Sequence, residues 1–180
     1  MKIVAWDIET SSLDADWGSI LCSSFCPIST EQTIEPAYSF SRTVRLKDPL
    51  DDGALAERIA SELSKYNVIV TWNGKLFDAP FLNARLLKAG RPDWNPQMHL
   101  DMMWYATGNS ARLASRKLDN VSKFFNTKTR KHDVGPDDHQ KARFGDKDSM
   151  ASLIKHCEND VQILSEVYWK LLPRVRNIHR

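Results

Sequence analysis

The first apolar run of the chain, Met1, Ile3, Val4, Ala5, Trp6 and Ile8, ends among two carboxylates, Asp7 and Glu9, in the string "WDIET". A short apolar run of this kind reads as a strand over residues 2–9 covered on both faces, which puts it in the middle of a sheet. Alternate side chains of a strand share a face, so Asp7 and Glu9 form one acidic patch with Cα atoms roughly 6.5 Å apart. Two ionised carboxylates beside a core are costly unless a cation or hydrogen bonds compensate them. No Lys or Arg follows Lys2 in this run. Either a metal ion meets that need, or the strand stops at Trp6 and Asp7, Glu9 and Thr10 serve a solvated turn.

The remaining pattern supplies neighbours for this strand. Short strands are expected over residues 20–28 and 33–40, which makes an antiparallel three-strand meander. Asp48, Pro49, Asp51, Asp52 and Gly53 mark a turn and cap, after which Leu55, Ile59 and Leu63 recur at helical spacing. The run "NVIVTW" over 67–72 reads as a strand. Asn73-Gly74 then turns the chain into a helix carrying Phe81, Leu82, Leu86 and Leu87, with a stop at Gly90. A short strand over 98–102, a short helix over 118–125 and a long helix over 150–172 ended by Pro173 complete the list. A meander followed by alternating helix and strand predicts an α/β fold: a mixed β-sheet, part antiparallel and part parallel, flanked by helices.

Size and composition bound the class. At 180 residues one domain over 1–180 is expected. The formal charge of +2 does not by itself point to nucleic acid. Cys22, Cys26 and Cys157 are too few and too odd in number for a disulfide framework and fit a reducing cytoplasm. Cys22 and Cys26 lack the second pair or nearby histidine that a zinc site needs. The N-terminal apolar run is broken too early for a signal peptide or a membrane span, so a soluble, cytoplasmic protein is expected.

Two further stretches carry acidic residues. In "TWNGKLFDAPFL", residues 71–82, Phe77 and Asp78 open a helix after a strand. Asp78 either caps that helix or converges on the first strand, because parallel strands bring functional groups to their carboxyl ends. In "HCENDVQIL" the apolar stripe Ile154, Cys157, Val161, Leu164, Tyr168 and Leu171 defines the buried side of the long helix. Asp160 lies about 60° and His156 about 100° from its centre. Their spacing of four puts both on one face, as a surface pair or as site residues at the margin of the core.

Taken in order, the three stretches resemble the DEDD family of 3′-to-5′ exonucleases, a group with a ribonuclease-H-like fold that includes polymerase proofreading domains, ribonuclease T and oligoribonuclease. Asp7-Ile8-Glu9-Thr10 is similar to the family's first motif, Asn73, Phe77 and Asp78 to its second, and His156 with Asp160 to its third. "WNGKLFDAPFL" and "HCENDVQIL" look closest to exonuclease domains of family B DNA polymerases and to stand-alone exonucleases related to them. One feature departs: His156 has three residues between it and Asp160, the spacing of the family's tyrosine subclass, whereas the histidine subclass has four. The subclass therefore stays open.

The resemblance implies two Mg²⁺ ions, with Mn²⁺ as a substitute, held by Asp7, Glu9, Asp78 and Asp160, with Asp7 as the bridge; an all-carboxylate set suits Mg²⁺. It implies His156 as the base toward an attacking water, and Thr10, Asn73 and Phe77 as contacts to the terminal nucleotide. Phe77 is equally a core candidate. The implied substrate is the 3′ end of single-stranded nucleic acid, DNA ahead of RNA, with a separate polymerase or replication protein as partner and no membrane. An exoribonuclease on short RNA, and a non-catalytic nucleic-acid-binding or accessory subunit of a replication complex, are the alternatives.

"RLASRK" over 112–117 and "TKTRKH" over 127–132 are basic runs, either phosphate tracks or solvated loops. Trp72, Trp104 and Tyr105 either stack on bases or pack inside. "HDVGPDDHQ", 132–140, reads as a flexible loop around Gly135 and Pro136 rather than a metal site. Asp101 reads as a helix cap.

Overall fold

Val4, Trp6 and Ile8 project from one face of strand β1 (Ile3–Thr10) and Ile3 and Ala5 from the other, and all five are buried. That double burial makes β1 the central strand. The structure, a computed structural model, describes residues 1–29, 31–43, 51–108 and 111–175. On one side of β1 lies β2 (Ile20–Pro27), antiparallel, and beyond it β3 (Tyr38–Ser41), also antiparallel. On the other side β4 (Val68–Thr71) and β5 (His99–Asp101) run parallel to it. The order β3-β2-β1-β4-β5 is the expected mixed sheet, a meander plus two parallel strands.

The third strand is shorter than residues 33–40. Ile34 makes only an isolated bridge to Ile28, and regular pairing begins at Tyr38. Pro36 lacks the N–H that a continuous ladder would use.

Helices α1 (Gly53–Leu63) and α2 (Asp78–Lys88) cover the face of Val4, Trp6 and Ile8 with Leu55, Ile59, Leu63, Phe81, Leu82 and Leu86. The opposite face is covered by α3 (Met102–Thr107), α4 (Leu118–Phe125) and a 25-residue helix, α6 (Lys147–Leu171), preceded by α5 (Asp138–Arg143). Cys157, Val161, Leu164, Tyr168 and Leu171 are buried in a stripe along α6, as their spacing predicts. The helix starts earlier than residue 150 because Asp146 accepts the amide of Ser149 at 2.8 Å, and Pro173 lies in the 3-10 turn Leu172–Arg174 that ends it.

Two helices depart from the sequence expectation. Residues 132–140 are not simply a loop: α5 begins at Asp138, whose Oδ2 accepts the amide of Gly135 at 2.9 Å while Oδ1 accepts from Ser149 Oγ at 3.0 Å. The six-residue α3 is too short for an apolar period to reveal it. Its cap is the expected Asp101, which accepts the amide of Met103 at 3.2 Å. Asp48 and Pro49 lie outside the described residues, while Asp52 immediately precedes α1. Among the described residues no helix is long and apolar enough to cross a membrane. All three cysteines are unpaired and buried.

A buried ion pair fastens α1, α2 and the entry to β2. Arg85 donates through Nε and Nη2 to Asp52 at 2.7 to 3.0 Å, and through Nη1 to the carbonyl of Ala15 at 2.9 Å. Asp52 Oδ2 also accepts the amide of Ile20 at 2.6 Å. Both side chains are 2% exposed. Removing one partner strands a desolvated charge, so Arg85→Met is expected to lower unfolding free energy by about 3–5 kcal/mol. Urea denaturation measures it, and a loss below about 1 kcal/mol would contradict the role given to the pair.

Candidate active site

The odd-numbered face of β1 continues past Ile3 and Ala5 into Asp7 and Glu9. The carboxylates thus extend an apolar row beneath α6 and are only partly accessible. The sequence alternative, a strand ending at Trp6, does not hold: Asp7 pairs with Ser24 and Glu9 with Cys22 across the ladder, and a register shift follows between Glu9 and Thr10.

Pairing of β1 with β4 extends only from Ile3↔Val68 to Ala5↔Val70. Beyond it the amide of Ile8 donates instead to Asp78 Oδ1 at 3.1 Å. Asp78 reaches that point because β4 turns sharply into α2. Asn73 has φ of +64°, and a Cβ on Gly74 would come within 2.5 Å of the Thr71 side chain, so the turn requires glycine there. Asp101 braces the same turn by accepting the amides of Asn73 at 2.9 Å and Lys75 at 3.2 Å. Asp101 is therefore a structural acid, holding the loop that carries Asn73, Phe77 and Asp78.

From α6 come three side chains. Cys157, fully buried, donates to Asp7 Oδ2 at 3.3 Å. His156 donates through Nδ1 to the carbonyl of His132, which leaves Nε2 facing the site, 3.7 Å from both Glu9 Oε1 and Asp160 Oδ2. Asp160 Oδ2 pairs with Lys131 Nζ at 3.0 Å, while its Oδ1 is buried without a hydrogen-bond partner among the described residues. From α5, His139 Nε2 meets Glu9 Oε2 at 2.9 Å. The structure thus brings Asp7, Glu9, Asp78, His156 and Asp160 to one end of the sheet.

Sequence reasoning missed three contributors. Cys157 was visible only as part of the apolar stripe. His139 sat in a stretch set aside as a loop, although Asp137-Asp138 ahead of Lys141 and Arg143 is a helix-start and helix-end signal. Lys131 stood in a basic run with nothing local to single it out.

Electrostatics follow from the crowding. Burial, and then the charges of Asp78, Glu9 and Asp160, hold the Asp7 carboxyl well above the usual carboxylate range. Burial likewise raises Asp78 to about 7 against the opposing Ile8 amide, and raises Asp160. Asp7, Glu9 and Cys157 each offer a ligand atom within 4.8 Å of the others. Mutually repelling carboxylates and an unsatisfied Asp160 oxygen are what a divalent cation would relieve, so the donor set fits the ions expected for it.

The candidate contacts to substrate divide between two cavities. One of 560 Å³ is bounded by Asp7, Asn73 and Asp160, and another of 310 Å³ by Glu9, Thr10, Phe77 and His139. Phe77 also packs partly against the core, 5.7 Å from Phe81. Trp104 is 57% exposed to solvent, whereas Tyr105 and Trp72 are partly buried against the core.

A model of the ribonuclease H superfamily matches residues 4–172. The chain belongs to that superfamily. No curated protein matches it. Among solved structures, the family B DNA polymerase from the hyperthermophilic archaeon Pyrobaculum calidifontis aligns with a TM-score of 0.74 and 18% identity, over 96% of this chain and 25% of the polymerase chain. This ribonuclease H superfamily chain therefore spans about a quarter of that polymerase's length. Nucleases of the superfamily generally use divalent metals, and the acidic group here is of that kind.

An acid whose folded pKa lies above its unfolded value keeps a proton that the unfolded chain has lost, so stability falls as pH rises from the unfolded value toward the folded one. In chelator, Asp7→Asn is therefore expected to melt higher than wild type, by a margin that grows from about pH 4 toward neutrality. Mn²⁺ should raise the wild-type melting temperature and leave the variant nearly unmoved. Differential scanning calorimetry checks both, and an equal metal response of the two proteins would contradict the cluster's role.

Proposed function

We propose that the protein is a metal-dependent 3′-5′ exonuclease that hydrolyses phosphodiester bonds of single-stranded nucleic acid, DNA in the first place. The observation that carries this is the meeting of four carboxylates, Asp7, Glu9, Asp78 and Asp160, from three distant stretches, with Asp7 raised by burial and then by its acidic neighbours. Kinship with the ribonuclease H superfamily supports a nuclease.

In this reading Asp7, Glu9, Asp78 and Asp160 would hold two divalent ions, Mg²⁺ or Mn²⁺. Such ions supply an activated water and stabilise the charge on the leaving oxygen. The chain's own groups do the rest. His156, whose Nδ1 donates to the His132 carbonyl, turns Nε2 toward the site as the acceptor of the attacking water's proton. The hydrogen bond on Nδ1 favours the tautomer with its proton there. Lys131 offsets part of the charge of Asp160 and orients its Oδ2. Thr10 and Phe77 contact the terminal nucleotide from the wall of the smaller cavity, and Asn73, on the edge of the larger one, contacts it where it joins the rest of the strand. The polymerase likeness is compatible with a separate polymerase or replication protein as partner.

The test is to incubate purified protein with single-stranded DNA or RNA labelled at its 5′ end, with Mg²⁺, Mn²⁺ or chelator. A metal-dependent ladder that shortens from the 3′ end is expected, faster on DNA. Asp7→Asn should lower the rate by more than about 100-fold without loss of fold, and His156→Ala by about 10²- to 10⁴-fold. Faster shortening of RNA would replace the DNA assignment by an exoribonuclease, and binding without cleavage would replace the enzyme by a binding or accessory subunit.

A further inference from the structure

We propose that the 560 Å³ cleft is the subsite for the strand on the 5′ side of the scissile bond, with Arg116 and Lys117 on its phosphates and Trp72 against one of its bases. The smaller cavity across Glu9 takes the terminal nucleoside. The proposal rests on the nuclease reading and adds the course of the strand.

The two cavities flank the acidic cluster and differ in charge. The larger is lined by Arg116, Lys117 and Lys131 as well as Asp7 and Asp160. These cations come from the two basic runs, which the fold brings to one cleft although α4 separates them in sequence. The smaller is lined by Ile8 to Leu13, Phe77 and His139 and carries no Lys or Arg. A continuing strand brings a phosphate with every nucleotide, whereas a terminal nucleoside brings none beyond the scissile one. Charge complementarity therefore sends the continuing strand through the basic cleft.

Within that cleft the charges are not equivalent. Lys131 is engaged by Asp160 at 3.0 Å, and Asp119 by Lys123 at 2.6 Å. Arg116 and Lys117 are exposed and sit in no ion pair among the described residues. They are the cations available to phosphate. Trp72 borders the same space, and its Nε1 donates to the Arg116 carbonyl at 2.8 Å, which fixes the indole beside the basic pair. A fixed ring beside free cations is the arrangement with which proteins bind single strands, by stacking and charge together. The volume is that of a small-ligand pocket, on the order of one or two nucleotides.

Binding is measured in chelator, where cleavage does not interfere, by fluorescence anisotropy of 5′-labelled oligodeoxynucleotides from two to eight nucleotides, at several salt concentrations. For wild type, affinity should rise as nucleotides are added at the 5′ end, with a steep salt dependence. In Arg116→Ala/Lys117→Ala the gain with length should be largely lost. The slope of log Kd against log salt should fall by about 1.4, two phosphate contacts at roughly 0.7 each. Lys65→Ala/Lys88→Ala removes the same charge from the α1 and α2 side of the molecule and should leave the slope as in wild type. Circular dichroism confirms that both variants fold. Equal slopes for wild type and the Arg116/Lys117 variant, or equal losses in the two double variants, would overturn the strand path while leaving the nuclease reading to its own cleavage assay. A wild-type protein that neither binds nor shortens oligonucleotides would overturn both.

Discussion

A single hydrogen bond, from the Ile8 amide to Asp78, joins the two halves of the site across 70 residues of sequence. It exists because β1 and β4 stop pairing after Ala5 and Val70, which leaves the Ile8 amide without a strand partner and opens a gap that the start of α2 fills. A buried amide needs an acceptor, and the one supplied is a carboxylate of the acidic cluster. The separation of two strands thereby creates both the site and the bond that positions one of its acids. This is the place where the chain, having built β2 and β3 on one side of β1, later lays β4 and β5 on the other, the kind of reversal at which α/β sheets bind ligands.

The site is held from behind more firmly than from the front. Cys157 reaches Asp7 from the core side, the His132 carbonyl holds His156, and Asp101 grips the turn that presents Asn73 and Asp78. Facing solvent, Glu9 has His139 on one oxygen and His156 farther from the other, while Asp160 has Lys131. The rear contacts are at least part-buried and fix geometry. Of the front contacts, His139 and Lys131 come from α5 and the segment before it, the part of the site that lies outside the three sequence motifs.

What could be read from the sequence follows from that division. Strand β1 was legible because an unbroken apolar run has one economical solution, and α6 because its stripe repeats at six positions over about five turns. Asp7 and Glu9 stood out because charge at the margin of an apolar pattern demands compensation, whereas Asp78 and Asp160 stood out only through the resemblance of their stretches to known motifs. Helices α3 and α5, six residues each, were not, since so short a helix shows no apolar period and is decided by tertiary contacts. His139 and Lys131 were hidden for a related reason: each acts on a group more than 25 residues away, and nothing beside it in the chain announces the partner. The shortened β3 was foreseeable at Pro36, where the missing donor outweighs the β-prone residues around it.

The alternation along β1 has a consequence for how this protein can change. Val4, Trp6 and Ile8 serve one layer of helices, and Ile3, Ala5, Asp7 and Glu9 serve the other. Inserting or deleting one residue before Asp7 would turn the carboxylates into the layer around Trp94 and at the same time expose apolar side chains beneath α6. Chemistry and folding share one reading frame in this strand. Variation that preserves either must preserve both, so evolutionary tinkering here is confined to exchanges of side chain at constant length.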